Sequence, residues 1–157
     1  MAAPGIPSPL FPADNSAVTS HITMLQGIIT RLANNSASCK TWCLTLIGAL
    51  VSLSGSTHVP GIFSFAILPI VVFGFLDTMY LAQEKAYRDL FDEIAGKIRS
   101  GGYVRGDAFK AAAPLKAEHV AWAITSWAVL PVYAGLILAY TVAHVTGWVE
   151  VLAKHGT

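Results

Sequence analysis

Two ionisable residues sit where lipid would make either one costly alone. Asp77 closes the uncharged run from Val59 to Leu76, and Lys40 immediately precedes the uncharged run from Thr41 to Thr57. An unpaired carboxylate at the bilayer centre costs about 2.5–3.5 kcal/mol on insertion scales, and less near an interface. Asp77 is therefore expected either to be paired, fixing two helices together, or to face water and line a path for ions or protons. A proton relay needs a second group at the same depth. His144, the other ionisable residue well inside an apolar run, falls toward the far end of its segment, so a continuous relay is not expected. If the chain folds back near Thr57–His58, residues i and about 115 minus i face one another, within about one turn. Asp77 then lies near Ser38–Lys40 and Glu84 lies near Arg31, and both ion pairs are expected.

Other chemistry is not supported by residue type and spacing. His21, His58, His119, His144 and His155 fall in separate segments, and none belongs to a metal-binding spacing. Gly101, Gly102 and Gly106 lie in SGGYVRGDAF, which has neither the preceding strand nor the following Lys-Ser/Thr of a phosphate loop, so it reads as the end of a helix. Glu118 and His119 are adjacent and point apart on a helix, as a catalytic acid–base pair would not. No cofactor, no metal and no catalytic residue is expected, and the chain does not read as an enzyme.

The elements that must position Asp77 are helices, and their solvent is partly lipid. Of 157 residues 54% are hydrophobic and 12% charged, with a mean hydropathy of +0.57, outside the range of an ordinary soluble domain. A formal charge of +1 gives no basic stripe for nucleic acid. Cys39 and Cys43, four apart on one helix, suit packing better than a disulfide. The expected organisation is all-α with three transmembrane helices. Residues 1–15, with Pro4, Pro7, Pro9 and Pro12, read as a disordered arm, and 16–40 as a cytoplasmic helix continuous with a first span at 41–57. A second span at 59–82, kinked near Pro69, extends into a cytoplasmic helix and loop at 83–118. A third at 120–149, broken by Pro131, leaves a short tail at 150–157. Spans one and two form a hairpin whose cytoplasmic ends run on as an antiparallel pair.

A stripe of alternating three- and four-residue spacing runs through Ile22, Leu25, Ile29, Leu32, Ser36, Cys39, Cys43, Leu46, Leu50 and Leu53, and a second through Tyr80, Glu84, Tyr87, Phe91, Ile94 and Ile98. These seams are expected to face each other. Ser36, Cys39 and Cys43 are small, allowing close helix approach where lipid supplies no hydrophobic drive. Glu84–Arg88, Arg88–Asp92 and Glu93–Lys97 stand four apart on the exposed face and mainly solvate it. Nine of the ten Lys and Arg residues fall before the first span or between the second and third. That bias places the N-terminus and the 83–118 segment in the cytoplasm and the C-terminus outside.

The stretches LQGIITRLANNSASCKTWCLTLIGAL, ILPIVVFGFLDTMYLAQEKAYRDLFDEI and SWAVLPVYAGLIL resemble RipA-like octameric membrane proteins, a family of small bacterial inner-membrane proteins. More loosely, they resemble the SLATT group of defence-associated membrane effectors. The resemblance implies assembly into a ring in the cytoplasmic membrane and no catalytic residues. Its acidic residue at the end of the second span, and the Glu followed by a basic-aromatic cluster, match Asp77, Glu84, Lys85, Tyr87 and Arg88. Two functions are expected. One is a homo-oligomeric, pore-forming or membrane-perturbing effector in stress or phage defence. The other is a non-conducting oligomeric scaffold that recruits a cytosolic protein.

Overall fold

The computed structural model describes residues 16–148, so the expectations for the 1–15 arm and the 150–157 tail lie outside the described residues. Helix α1 runs unbroken from Ser16 to Thr57, and α2 from Ile67 to Arg99. A 3-10 turn at Pro60–Ala66 leads into α2, and α3 (Ala117–Thr125) and α4 (Leu130–Val145) follow. No strand occurs among the described residues. Two helical segments are long and apolar enough to cross a membrane, Ser16–Thr57 and Pro60–Arg99, and α3 with α4 makes a third if this pair, bent by 57°, is one span.

Helices α1 and α2 pack antiparallel. Leu25 meets Leu90 and Ile94 near one end, and Cys43 meets Ile70 toward the other. The connection between them is closed by the Ser54 hydroxyl, which donates to the Val59 carbonyl at 3.1 Å, and by His58 in the left-handed region at φ 56°. The kink expected at Pro69 is absent because the chain is 3-10 up to Ala66. Pro69 therefore falls in the first turn of α2, where the missing N–H leaves no helical bond unmade. Likewise the break in the third apolar run falls at 126–129, and Pro131 opens α4 rather than interrupting it.

The first seam holds through Cys43 and then drifts. Leu46 and Leu53 are exposed, while Ile47, Leu50 and Val51 approach the Phe63–Ala66 turn and Ser54 is fully buried. A straight helix turns every 3.6 residues, so a strict 3.5-residue stripe walks off the contact face within two or three heptads. The second seam is incomplete for another reason. Ala82, Ala86 and Leu90 are buried although they lie off the stripe, because the loop after α2 and helix α3 cover a second face of it.

That loop is anchored by a Schellman termination: Gly102 N–H donates to the Lys97 carbonyl at 2.8 Å and Gly101 N–H to Ile98 at 3.2 Å, with Gly101 at φ 72°. The chain then turns back along α2 toward α1.

Candidate functional site

Asp77 is fully buried between α1 and α2. Its Oδ2 lies 2.6 Å from Lys40 Nζ, and Ser36 donates its hydroxyl to Asp77 Oδ1. Lys40 Nζ also donates to Ser36 Oγ at 3.2 Å, closing a three-residue polar cluster. Ser36 and Lys40 are four apart on α1, so one helical face supplies both partners. Their level on α1 is set by the small side chains there: Ser36 and Cys39 are 6% exposed and Cys43 0%, which lets α2 approach closely. Both cysteines are free thiols.

The other expected pair does not form. Arg31 is exposed, because its neighbour Leu32 takes the contact position on α1. Glu84 is 7% exposed and pairs instead with Arg88 of its own helix at 2.6 Å. The one-turn tolerance of the register placed Arg31 at the right height but not on the right face. Of the three expected surface pairs, Glu84–Arg88 and Glu93–Lys97 are present. Arg88–Asp92 is not an ion pair among the described residues, and Lys85–Asp89 at 2.5 Å forms instead.

Helix α4 completes the wall behind the cluster. Tyr133 packs with Cys43, Ile70 and Val129, and its hydroxyl donates to the Phe73 carbonyl at 3.2 Å. The ring lies flat against Gly74, where an added Cβ would sit 3.2 Å from Tyr133 Cδ1. Only a residue without a side chain admits that contact unstrained. Sequence reasoning missed Tyr133; the available signal was that the apolar run holds two Tyr, Tyr133 and Tyr140, whose hydroxyls must find partners when buried.

A second polar cluster lies at the opposite end of α1. His21 is 0% exposed; its Nε2 is 3.0 Å from the Lys110 carbonyl and its Nδ1 2.8 Å from the Tyr103 hydroxyl. A carbonyl only accepts, so Nε2 carries the proton and Nδ1 accepts from Tyr103. Burial, and secondly the Asp107 charge, push the Tyr103 phenol above its ordinary range, keeping it a donor. Lys97 Nζ reaches Asp107 at 2.7 Å and Glu93 at 3.1 Å, tying the loop to α2. His119 Nδ1 accepts the Lys116 N–H at 3.2 Å, so its Nε2–H faces Asp89 Oδ2 at 3.2 Å. Among the described residues no group of three or more His, Cys, Asp or Glu could hold a metal ion.

The fold and these clusters define an all-helical chain with helices long and apolar enough to cross a membrane, fastened by one ionic cluster and one His–Tyr lock. No family model matches the chain, no curated protein matches it, and no solved structure matches it.

Proposed function

We propose that this chain is a homo-oligomeric bacterial inner-membrane protein without enzymatic activity, acting as a pore-forming or membrane-perturbing effector. In this reading residues 41–57, 59–82 and 120–149 cross the bilayer. The first two form a hairpin, the N-terminus and 83–118 lie in the cytoplasm, and the C-terminus is periplasmic. The observation that carries it is the outward face of α1. Ala37, Thr41, Thr45, Gly48 and Ser52 are exposed at three- and four-residue spacing on a helix apolar enough to span. Small and hydroxyl-bearing residues make poor lipid contacts but close helix–helix ones, and they line water when several copies assemble. A ring of copies, octameric as the RipA-like resemblance implies, gives that face its neighbour. A role in stress or phage defence follows from the looser SLATT resemblance.

Induced expression then depolarises cells and admits a membrane-impermeant dye. Thr45→Leu with Gly48→Leu, which leaves the α1–α2 contact untouched, abolishes both effects and lowers the oligomeric state in detergent. Unchanged potential and dye exclusion at high expression overturn the effector reading.

One observation favours the second reading, a non-conducting scaffold. Asp77 is closed off by Lys40 and Ser36 and so offers no carboxylate to a path within one chain. The cytosolic partner would then meet the charged surface of α2, where the Arg88 side chain is 57% exposed. A soluble protein that co-purifies, and is lost on charge reversal at Lys85, Arg88 and Asp92, supports it over the pore.

A further inference from the structure

Helix α2 carries two cavities along one face, and α3 begins where they meet. The first, about 530 Å³, is floored by Ala86, Leu90 and Pro114 and rimmed by Glu93, Lys110 and Lys116. The second, about 420 Å³, is almost wholly apolar and runs between α2 and the α3–α4 bend, past Met79, Ile124 and Ile137. His119 lines the first and its neighbour Val120 the second. From Met79 to Ala86 the axial distance is about 10 Å at the helical rise. That is enough to cross the polar layer, roughly 5–7 Å on each side, that separates bilayer hydrocarbon from water.

The charges on the upper rim are of both signs, and its two lysines are loosely held. Lys110 and Glu93 stand 3.5 Å apart, the longest ion pair among the described residues, with both side chains near half exposed. Lys116 is 61% exposed and among the described residues pairs only with Glu118, itself 68% exposed. Such pairs contribute little, so a ligand that offers each partner a better mate separates them at small cost. Asp89, 45% exposed, adds a second carboxylate to the same rim; it is shared with Lys85 at 2.5 Å and His119 at 3.2 Å, as Glu93 is with Lys97 at 3.1 Å, so an ammonium joins these partners and does not fill an empty place. An anion alone would meet repulsion from Glu93 and Asp89, and a cation alone would meet it from the lysines. A group carrying a phosphate and a hydrogen-bonding ammonium satisfies both.

We infer that this crevice is a binding site for one zwitterionic phospholipid with a primary-ammonium headgroup: phosphate between Lys110 and Lys116, ammonium at Glu93 and Asp89, and an acyl chain along α2 in the lower cavity. The site rests on the membrane placement of α2 and not on assembly or conduction, so a chain that forms no pore still binds this lipid.

The test uses the full chain purified in detergent and mass spectrometry of intact protein–lipid complexes, with phosphatidylethanolamine, phosphatidylcholine and phosphatidylglycerol offered in turn. Phosphatidylethanolamine is retained best. Phosphatidylcholine, whose trimethylammonium cannot donate hydrogen bonds, and phosphatidylglycerol, which has no cation, are retained several-fold less. Lys110→Gln and Glu93→Gln each lower retention of phosphatidylethanolamine, by about fivefold for the lysine. Asp92→Asn, away from this cavity, leaves it unchanged. Ala134→Trp, which fills the lower cavity, lowers retention while the melting temperature stays that of the parent chain. Equal or greater retention of phosphatidylglycerol overturns the proposal. So does retention indifferent to both rim variants, or full displacement by water-soluble glycerophosphoethanolamine, which would assign the rim to a free metabolite.

Discussion

Lys40 with Asp77 and Lys97 with Asp107 are the same ion pair in kind, at 2.6 and 2.7 Å, in two different solvents. The first joins two helices at the end of an apolar run, with the carboxylate 0% exposed. The second ties a loop to a helix end, with the carboxylate 13% and the lysine 35% exposed and the lysine's charge shared with Glu93. Geometry alone would rank them as equals; desolvation separates them. At Asp77, removing a partner strands a charge that water cannot reach. At Asp107, water and salt replace most of what the lysine supplies, and the loop is held mainly by burial of Tyr103 and by the His21 hydrogen bonds.

Breaking the first pair from its exposed side gives the largest effect. Lys40→Ala leaves Asp77 buried without its cation, and the detergent-solubilised chain should lose about 3 kcal/mol of stability by thermal unfolding. Asp77→Ala should cost less, since the Lys40 side chain is 23% exposed and can turn its ammonium outward. Replacing both by Leu should recover most of the loss. Should the double-mutant cycle give a coupling no larger than about 0.5 kcal/mol, the two pairs are not different in weight and the contrast fails.

The loop end should answer to its uncharged lock instead. His21→Ala removes one buried and one part-buried hydrogen bond and leaves the Tyr103 hydroxyl and the Lys110 carbonyl without this partner, a loss of about 2 kcal/mol. Tyr103→Phe removes one of them and should cost about 1 kcal/mol. Both changes should appear as cleavage by trypsin at Arg105 and Lys110 with the α1–α2 contact still protected. Cleavage that instead accompanies global unfolding would show that the two regions are one cooperative unit.

The two regions also differed in how far the sequence revealed them. Uncharged runs and the three- and four-residue spacing marked the long helices, and a turn near residue 58 with helical rise placed Asp77 opposite the 38–40 level. That reading works because a continuous helix converts residue number into height. It does not fix azimuth, which is why Arg31 was put opposite Glu84 when Leu32 holds the contact face. The loop cluster was not legible at all. His21 lies 82 residues from Tyr103 and 89 from Lys110, which it meets through a backbone carbonyl, and no periodicity records where a Gly-rich loop will return. The α3–α4 break was attributed to Pro131, whereas that proline fits the first turn of α4 and the bend precedes it.

Acid sharpens the contrast with the smallest effect. The hydrogen bond from Lys97, then the Val104 N–H and the Lys97 and Lys110 charges, hold the Asp107 carboxyl below its ordinary value of 3.8 in spite of its burial. A depressed carboxyl contributes stability that is whole above its unfolded value and is lost as pH falls through the folded one. Protection of amides 103–110 from exchange should therefore decline between about pH 4 and about pH 2. Asp107→Asn, which never ionises, provides the reference at each pH. At neutral pH it should show slightly lower protection than the parent, by about 0.5 kcal/mol, and toward acid the difference should vanish. A parent-to-variant ratio that stays constant over this range would mean that the Lys97–Asp107 contact carries no net weight. The loop would then rest on burial, the His21 lock and the Tyr87 hydroxyl's bond to the Ala111 carbonyl at 3.0 Å.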